Sequence, residues 1–377
     1  MRKSGEWLQE FQYFRAIAII EVIVGHAAGV VQQTDLTTLN PTKDIVIGVG
    51  AFTSFGVMQF LFISGVVLYN KYSESFSLSM FYKRRFSAVL PPYLIFSTFY
   101  FLYPYVAAPL YSAVSHHPTI HSWNVSFAQL MSQYLTGLVV GIDQLWFIVL
   151  ILQLYLLYPV LIKFYRRFAG RQHPLYALMP LLLLQIAYSS AFLTTGPTVF
   201  RAFFLTGIFY FVLGFFVSEH FTALKQKVAN VSVTIISLAV VLSTIYYAVV
   251  FYHTVLLPGP VPPYYVVLYQ ATGPFYCLLL IFFYLRIVTT WGKPRGFLTK
   301  YLERIGEDSF GIYLTHYFFI SAFAYTLPLI GLSFDNLLFY PTLAFLTLIC
   351  SEVSVQALYR LPGSAVLVGK RRREVAQ

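Results

Sequence analysis

The chain has 377 residues, 58% of them hydrophobic and only 10% charged, with a mean hydropathy of +0.70. Soluble domains carry about a quarter charged residues, so this composition excludes a soluble globular fold and implies an all-α, polytopic bundle of membrane-spanning helices. The net charge of +11 does not point to nucleic acid, because the cations fall in short segments between apolar runs and form no basic face with interleaved aromatics.

Ten runs are long enough to span a bilayer: 13–31, 46–69, 86–111, 144–164, 175–193, 200–218, 230–252, 264–288, 309–330 and 337–359. With the N-terminus placed in the cytoplasm, Lys and Arg sort strongly to that side. It receives Arg2 and Lys3, Lys71 with Lys83–Arg85, Lys163 to Arg171, Lys225 and Lys227, Arg286 to Arg304, Arg360, and Lys370–Arg373. The other side receives Lys43 and Arg201. Such asymmetry predicts an even number of spans with both termini cytoplasmic. The first run is too long, and too interrupted by Arg15, Glu21 and His26, for a cleavable signal peptide, so it is expected to be retained. The organisation expected is one membrane domain over 1–360 and a basic cytoplasmic tail over 361–377. Cys277 and Cys350 lie inside apolar runs and read as packing residues.

Within the first run, Arg15 and His26 are eleven residues apart, about three helical turns, and so share one face roughly 16 Å apart along the axis. Ionisable groups in a membrane are costly, which makes this stripe a candidate site. A buried histidine bonded to a neighbouring helix is the commoner fate of a lone imidazole. Arg15 on the same stripe favours instead a neutral base that takes a proton from a hydroxyl. Glu21 is poorly phased with His26, so the acid expected to orient the imidazole is Glu352 in the tenth run.

Further along, Ser64 and Gly65 are small residues suited to close helix contact. Lys83, Arg84 and Arg85 open the third run and Pro91-Pro92 follow within it. The prolines are expected to break local helix bonding and open a cavity beside cations that suit phosphates. The segment 112–143 contains no Lys or Arg but carries His116, His117 and His121, and its part 126–141 reads as an interfacial or re-entrant piece. Asp143 and Trp146 stand at the outer mouth of the fourth run, where Trp146 serves as an interfacial anchor or a sugar-stacking platform. Ser309 is expected to cap the ninth run, and His316, seven residues on, shares its face. The triplets at Asn124 and Asn230 match a glycosylation acceptor pattern and carry no weight.

Taken together and in order, five stretches resemble acyltransferase family 3, a family of integral membrane acyl-transfer proteins. They are Arg15-x10-His26, Phe62-Ile63-Ser64-Gly65, Lys83-Arg84-Arg85 before Pro91-Pro92-Tyr93, Leu145-Trp146-Phe147, and Ser309 to His316. The resemblance covers most of the chain. It implies transfer of an acyl group, commonly acetyl, from cytoplasmic acyl-CoA to a hydroxyl of a cell-surface or lipid-linked glycan, or sometimes to another small molecule. It makes His26 the expected catalytic group, with Arg15 and the Arg84/Arg85 cluster expected to hold the acyl-CoA or organise the site. From the residues themselves, Glu352 is expected beside His26, Lys83, Ser309 and His316 join the expected donor-binding set, and Asp143 and Trp146 form the expected acceptor-binding pair. No metal is expected. Many relatives carry a C-terminal extracytoplasmic hydrolase-like domain, and this sequence ends at Gln377 without one. The acceptor step then falls to the membrane domain alone or to a partner, such as a glycan synthase or a separate extracytoplasmic transferase. Stand-alone relatives are associated with exopolysaccharide synthesis, so the plasma membrane of a bacterial cell is the expected location.

Two other readings use the same residues. A polysaccharide or lipid-linked sugar exporter would also bury charges at mid-depth, though no inverted repeat between the halves supports it. A zinc site at His116, His117 and His121 is the other.

Overall fold

The computed structural model describes residues 6–30, 41–74, 76–115, 126–169, 174–192, 198–256, 262–290 and 296–369. No strand occurs among them. In lipid the backbone has no water to bond, so apolar runs of this length close their hydrogen bonds internally as helices. In chain order these are α1 (Glu6–Gly29), α2 (Pro41–Thr53), α3 (Gly56–Tyr72), α4 (Leu78–Ser115) and α5 (Phe127–Val140). There follow α6 (Trp146–Ala169), α7 (Leu175–Phe192), α8 (Ile208–Ala229), α9 (Val233–Phe251) and α10 (Pro263–Thr290). The last three are α11 (Phe297–Leu329), α12 (Phe339–Arg360) and α13 (Ser364–Val368).

Among the described residues, 9 segments are long and apolar enough to cross a membrane, with α2 and α3 together forming one of them. The fifth predicted run is the shorter apolar helix Tyr176–Phe192. The chain is thus an all-α, multi-pass membrane bundle. Its lipid-facing surfaces are plain: α9 exposes Ile235, Leu238, Leu242, Ile245 and Val249 along one stripe.

Three expectations need correction. The sixth run does not begin at residue 200, since 198–206 form short 3-10 turns and α8 starts at Ile208. Side chains capture the backbone there: Gln153 Nε2 donates to Ala202 O at 2.7 Å, and Gln153 Oε1 accepts from Phe204 N at 3.2 Å. Ser309 caps nothing, because α11 begins at Phe297 behind Gly296 and carries Ser309 buried in its interior. The proline pair does not break α4, which runs unbroken through Pro91 and Pro92. A proline at 92 cannot bond the Ala88 carbonyl, and that carbonyl instead faces the backbone of Gly369. Within the expected tail, α13 buries Ser364 and Val368; residues 370–377 lie outside the described set.

The centre of the bundle is α1 against α11. Gly306 lies on the backbone of Gln12, so close that a Cβ would overlap the Gln12 carbonyl. Further along both helices in the same direction, His26 lies beside His316. The two helices therefore run parallel. Between α3 and α8 a similar approach occurs where Gly65 meets Phe211 and Gly214. Lipid tails are as apolar as leucine, so helices in a membrane associate through close packing of this kind.

Substituting Gly306→Ala should lower stability by about 1–3 kcal/mol, the usual cost of an added methyl in a closed contact. Gly48→Ala, where a Cβ meets open space, should be neutral or slightly stabilising. Thermal unfolding of the two purified variants in detergent checks this, and equal midpoints would contradict the contact.

Candidate active site

Two imidazoles meet at the middle of the bundle. The rings of His26 and His316 have centroids 5.2 Å apart at 48°. Tyr317 meets His26 edge-on at 5.6 Å. His316 is fully buried, and its Nδ1 lies 2.7 Å from the Tyr313 carbonyl one turn back. A carbonyl can only accept, so Nδ1 carries the proton and Nε2 keeps its lone pair. That Nε2 is buried with no hydrogen-bond partner.

The local geometry of α11 is fixed from two neighbours. The Tyr313 hydroxyl donates to the Gln144 carbonyl. The Tyr100 hydroxyl donates to Leu314 O at 2.7 Å and accepts from Phe318 N at 3.3 Å. These are the two groups that one helical turn would pair, so a side chain of α4 is inserted into the ladder beside His316. Insertions of this kind set the local bend of a helix.

His26 opens onto a cavity of about 280 Å³. Its wall includes Gly25, Thr53, Ser54, Gln144, Trp146, Tyr313 and Arg201. The helical path stops between Thr53 and Gly56, where α2 gives way to α3, and this break leaves the space beside His26. The opposite wall is the tight turn before α6. Gly141 adopts φ +88 and Asp143 φ +48, a left-handed conformation that a non-glycine residue seldom takes. The turn drives Gln144 inward, to 2% exposure, where its amide stands beside the Tyr100 hydroxyl but neither amide atom makes a well-formed hydrogen bond. Buried polar groups are ordinarily satisfied, so such an amide calls for a ligand or a water. Asp143 itself is exposed in the turn next to Gln144, within electrostatic reach of Tyr100 and Tyr317.

A second cluster lies at the end of the bundle where the basic residues gather. Arg15 and Arg85 are within electrostatic reach of each other and of the Tyr155 hydroxyl, which lies beside Ser64. The Arg15 guanidinium donates to Gln12 Oε1 at 3.4 Å. Arg85 donates to the Tyr72 hydroxyl at 3.3 Å, and its guanidinium stands 5.3 Å over the Tyr72 ring, while its Nε is buried without a partner. Lys71 stands 5.6 Å from the centre of the same ring. Lys83 and Arg84 are exposed.

The structure therefore joins some predicted residues and separates others. Trp146 lines the His26 cavity, and Arg15 joins Arg85. His316 sits with His26 and not with the Lys83–Arg85 cations. Glu352 is not brought to His26. It is buried against Arg304 Nε at 2.9 Å, and Arg304 precedes His316 by twelve residues, about 18 Å along α11. Glu21 also points elsewhere, accepting from Gln59 Nε2 at 2.6 Å and from the Tyr284 hydroxyl. Gln144, Tyr313, Tyr317 and Arg201 were not anticipated. Only Arg201 carried a signal, as one of two cations on the side that the others avoid.

The family model described as acyltransferase domain matches residues 8–353. The chain belongs to acyltransferase family 3. The matched region contains both imidazoles, the Arg15 and Arg85 cluster and the cavity. No curated protein and no solved structure matched the chain. In this membrane acyltransferase no group of three His, Cys, Asp or Glu able to hold a metal occurs among the described residues. His116, His117 and His121 lie outside them.

The unpartnered amide predicts a separable effect. Gln144→Met should leave the thermal midpoint unchanged or raise it, because an unmade buried hydrogen bond costs about 1–3 kcal/mol and an apolar side chain of similar length removes it. Acyl transfer by the same variant should fall. A large loss of stability measured by thermal unfolding would mean that the amide is a structural group.

Proposed function

We propose that this acyltransferase moves an acyl group, most simply acetyl, from acyl-CoA to a hydroxyl of a glycan or lipid-linked acceptor, in the plasma membrane of a bacterial cell. The observation that carries this is the His26–His316 pair, standing between a basic cluster at one end and a polar cavity at the other. By the positive-inside rule the basic end, with both termini, faces the cytoplasm. That compartment holds CoA thioesters, and guanidinium groups bind phosphates bidentately. Arg15 and Arg85, assisted by exposed Lys83 and Arg84, are assigned to the donor. The cavity with Trp146 is assigned to the acceptor, with Asp143 in the turn next to Gln144.

In the proposed step the acceptor hydroxyl gives its proton to a His26 nitrogen as its oxygen attacks the thioester carbonyl carbon. The new C–O bond forms and the C–S bond breaks. The imidazolium returns the proton to the departing sulfur, so CoA leaves as a thiol and the imidazole is neutral again. His316 Nε2, a lone pair with no other partner, stabilises the transient positive charge on its neighbour. A general base of this kind contributes about 10²–10⁴-fold in rate.

His26→Ala should therefore lower transfer of radiolabelled acetyl from acetyl-CoA by at least about 10²-fold, with monodisperse protein still recovered. Undiminished transfer in that variant would exclude His26 as the base. Arg15→Ala and Arg85→Ala should act differently. Each removes a charge-assisted contact worth about 1.5–3 kcal/mol, so the KM for acetyl-CoA should rise by roughly ten-fold or more. Donor titrations at saturating acceptor separate this from a loss of kcat.

A further inference from the structure

Arg201 is an anomaly in the charge pattern. It lies at the end of the bundle opposite the basic cluster, where the sequence otherwise puts only Lys43. It is exposed and forms part of the wall of the His26 cavity. Its position is fixed by bonds on both sides. Gln153 of α6 holds Ala202 O and Phe204 N. Phe200 O accepts from the Tyr188 hydroxyl at 3.0 Å and from Thr206 Oγ1 at 3.2 Å. Gln153 lies seven residues beyond Trp146, nearly two turns, so the helix face that presents Trp146 also anchors the Arg201 turn. The guanidinium is within electrostatic reach of Tyr269 on α10, and it forms no ion pair among the described residues.

A cation anchored by its backbone, open to solvent and in no ion pair among the described residues is pre-organised for an anionic group. The same cavity holds the buried Gln144 amide, which lies beside the Tyr100 hydroxyl, makes no well-formed hydrogen bond, and can both donate and accept. We propose that Arg201 and Gln144 form a recognition subsite for an acceptor bearing a carboxylate or phosphate. Arg201 takes the anionic group, Gln144 bonds a neighbouring hydroxyl or carbonyl, Trp146 covers a ring face, and the hydroxyl to be acylated is directed at His26. The space, about 280 Å³, is just under the roughly 300–1,000 Å³ usual for small-molecule sites, which suits one ring and its substituent. The inference deepens the acyl-transfer reading by giving the acceptor a charge. The anion recognition itself does not require transfer to occur.

Three probes share a ring and differ in that group: glucose, glucuronate and glucose 6-phosphate. Their affinity for the detergent-solubilised full-length protein is read by saturation-transfer nuclear magnetic resonance, and each is then offered as acceptor with labelled acetyl-CoA. At least one anionic probe should bind ten-fold or more tighter than glucose. Arg201→Gln should abolish that preference, and Arg201→Lys should keep part of it because the charge remains. Whether glucuronate or glucose 6-phosphate is preferred tells a carboxylate from a phosphate. Equal binding of all three to the wild type, or a preference that survives in a folded Arg201→Gln protein, overturns the subsite. Arg201-dependent anion binding without transfer of label keeps the subsite and overturns the transfer reading. Transfer with no preference among the three does the reverse.

Discussion

The contact on which the active centre depends is the parallel approach of α1 and α11. Helices in a membrane gain little from burying apolar surface against each other, so their register comes from shape. Gly306 lets the two backbones touch at Gln12. From that point both helices continue in the same direction, and the register chosen there decides which residues meet further on. The pair that meets is His26 and His316. Asp308, two residues beyond the contact, ties the same part of α11 to α12 by accepting from Gln356 Nε2 at 2.6 Å and the Tyr359 hydroxyl at 2.9 Å. The register is thus held on two sides before the helix reaches its imidazole.

The neighbours of that pair suit a low-dielectric interior. An isolated charge there is expensive, and a carboxylate beside His26 would need its own compensation. The buried carboxylates among the described residues are instead committed elsewhere, Glu21 to Gln59 and Tyr284, Asp308 to Gln356 and Tyr359, and Glu352 to Arg304. Two imidazoles can share a proton while only one is charged at a time. The tautomer of His316 is set by Tyr313 O, so its free lone pair is available without any ionised group. On the proposed mechanism, charge exists in the centre only while a proton is in transit.

The parts legible in the sequence are those that depend on local pattern. Hydropathy located the crossing segments, and helical phase alone put Arg15 and His26 on one stripe. The misses have tertiary causes. Ser309 and the long N-terminal part of α11 were misread because the polar residues Glu303 to Asp308 look like a loop, whereas Asp308 is bonded into α12. The turns at 198–206 looked helical because they are apolar, and side chains such as Gln153, more than forty residues away, and Tyr188 hold them otherwise. The choice of Glu352 rested on depth along its run, which says nothing about azimuth or about Arg304 across the gap. Gln144 gave no signal, since the strained turn that buries it is invisible until Gly141 and Asp143 are seen at positive φ.

The stripe on α1 also works as a ruler. Arg15 and His26 are about 16 Å apart by helical rise, and Arg15 shares its surroundings with Arg85, Tyr72 and Tyr155 at the basic end. If the phosphates of the donor rest on those guanidinium groups, the thioester must reach His26 along the interior of the bundle. A long, narrow arm between phosphate and sulfur suits such a path, because α1 packs there against buried rings such as Phe62 and Tyr284. The acceptor needs no such reach, as its cavity already touches His26. The two substrates therefore face opposite geometric demands. On the proposed reading one is selected by length from the basic end, and the other by shape and charge at the mouth, so that the helix carrying both Arg15 and His26 would hold the reacting atoms at a fixed depth between them.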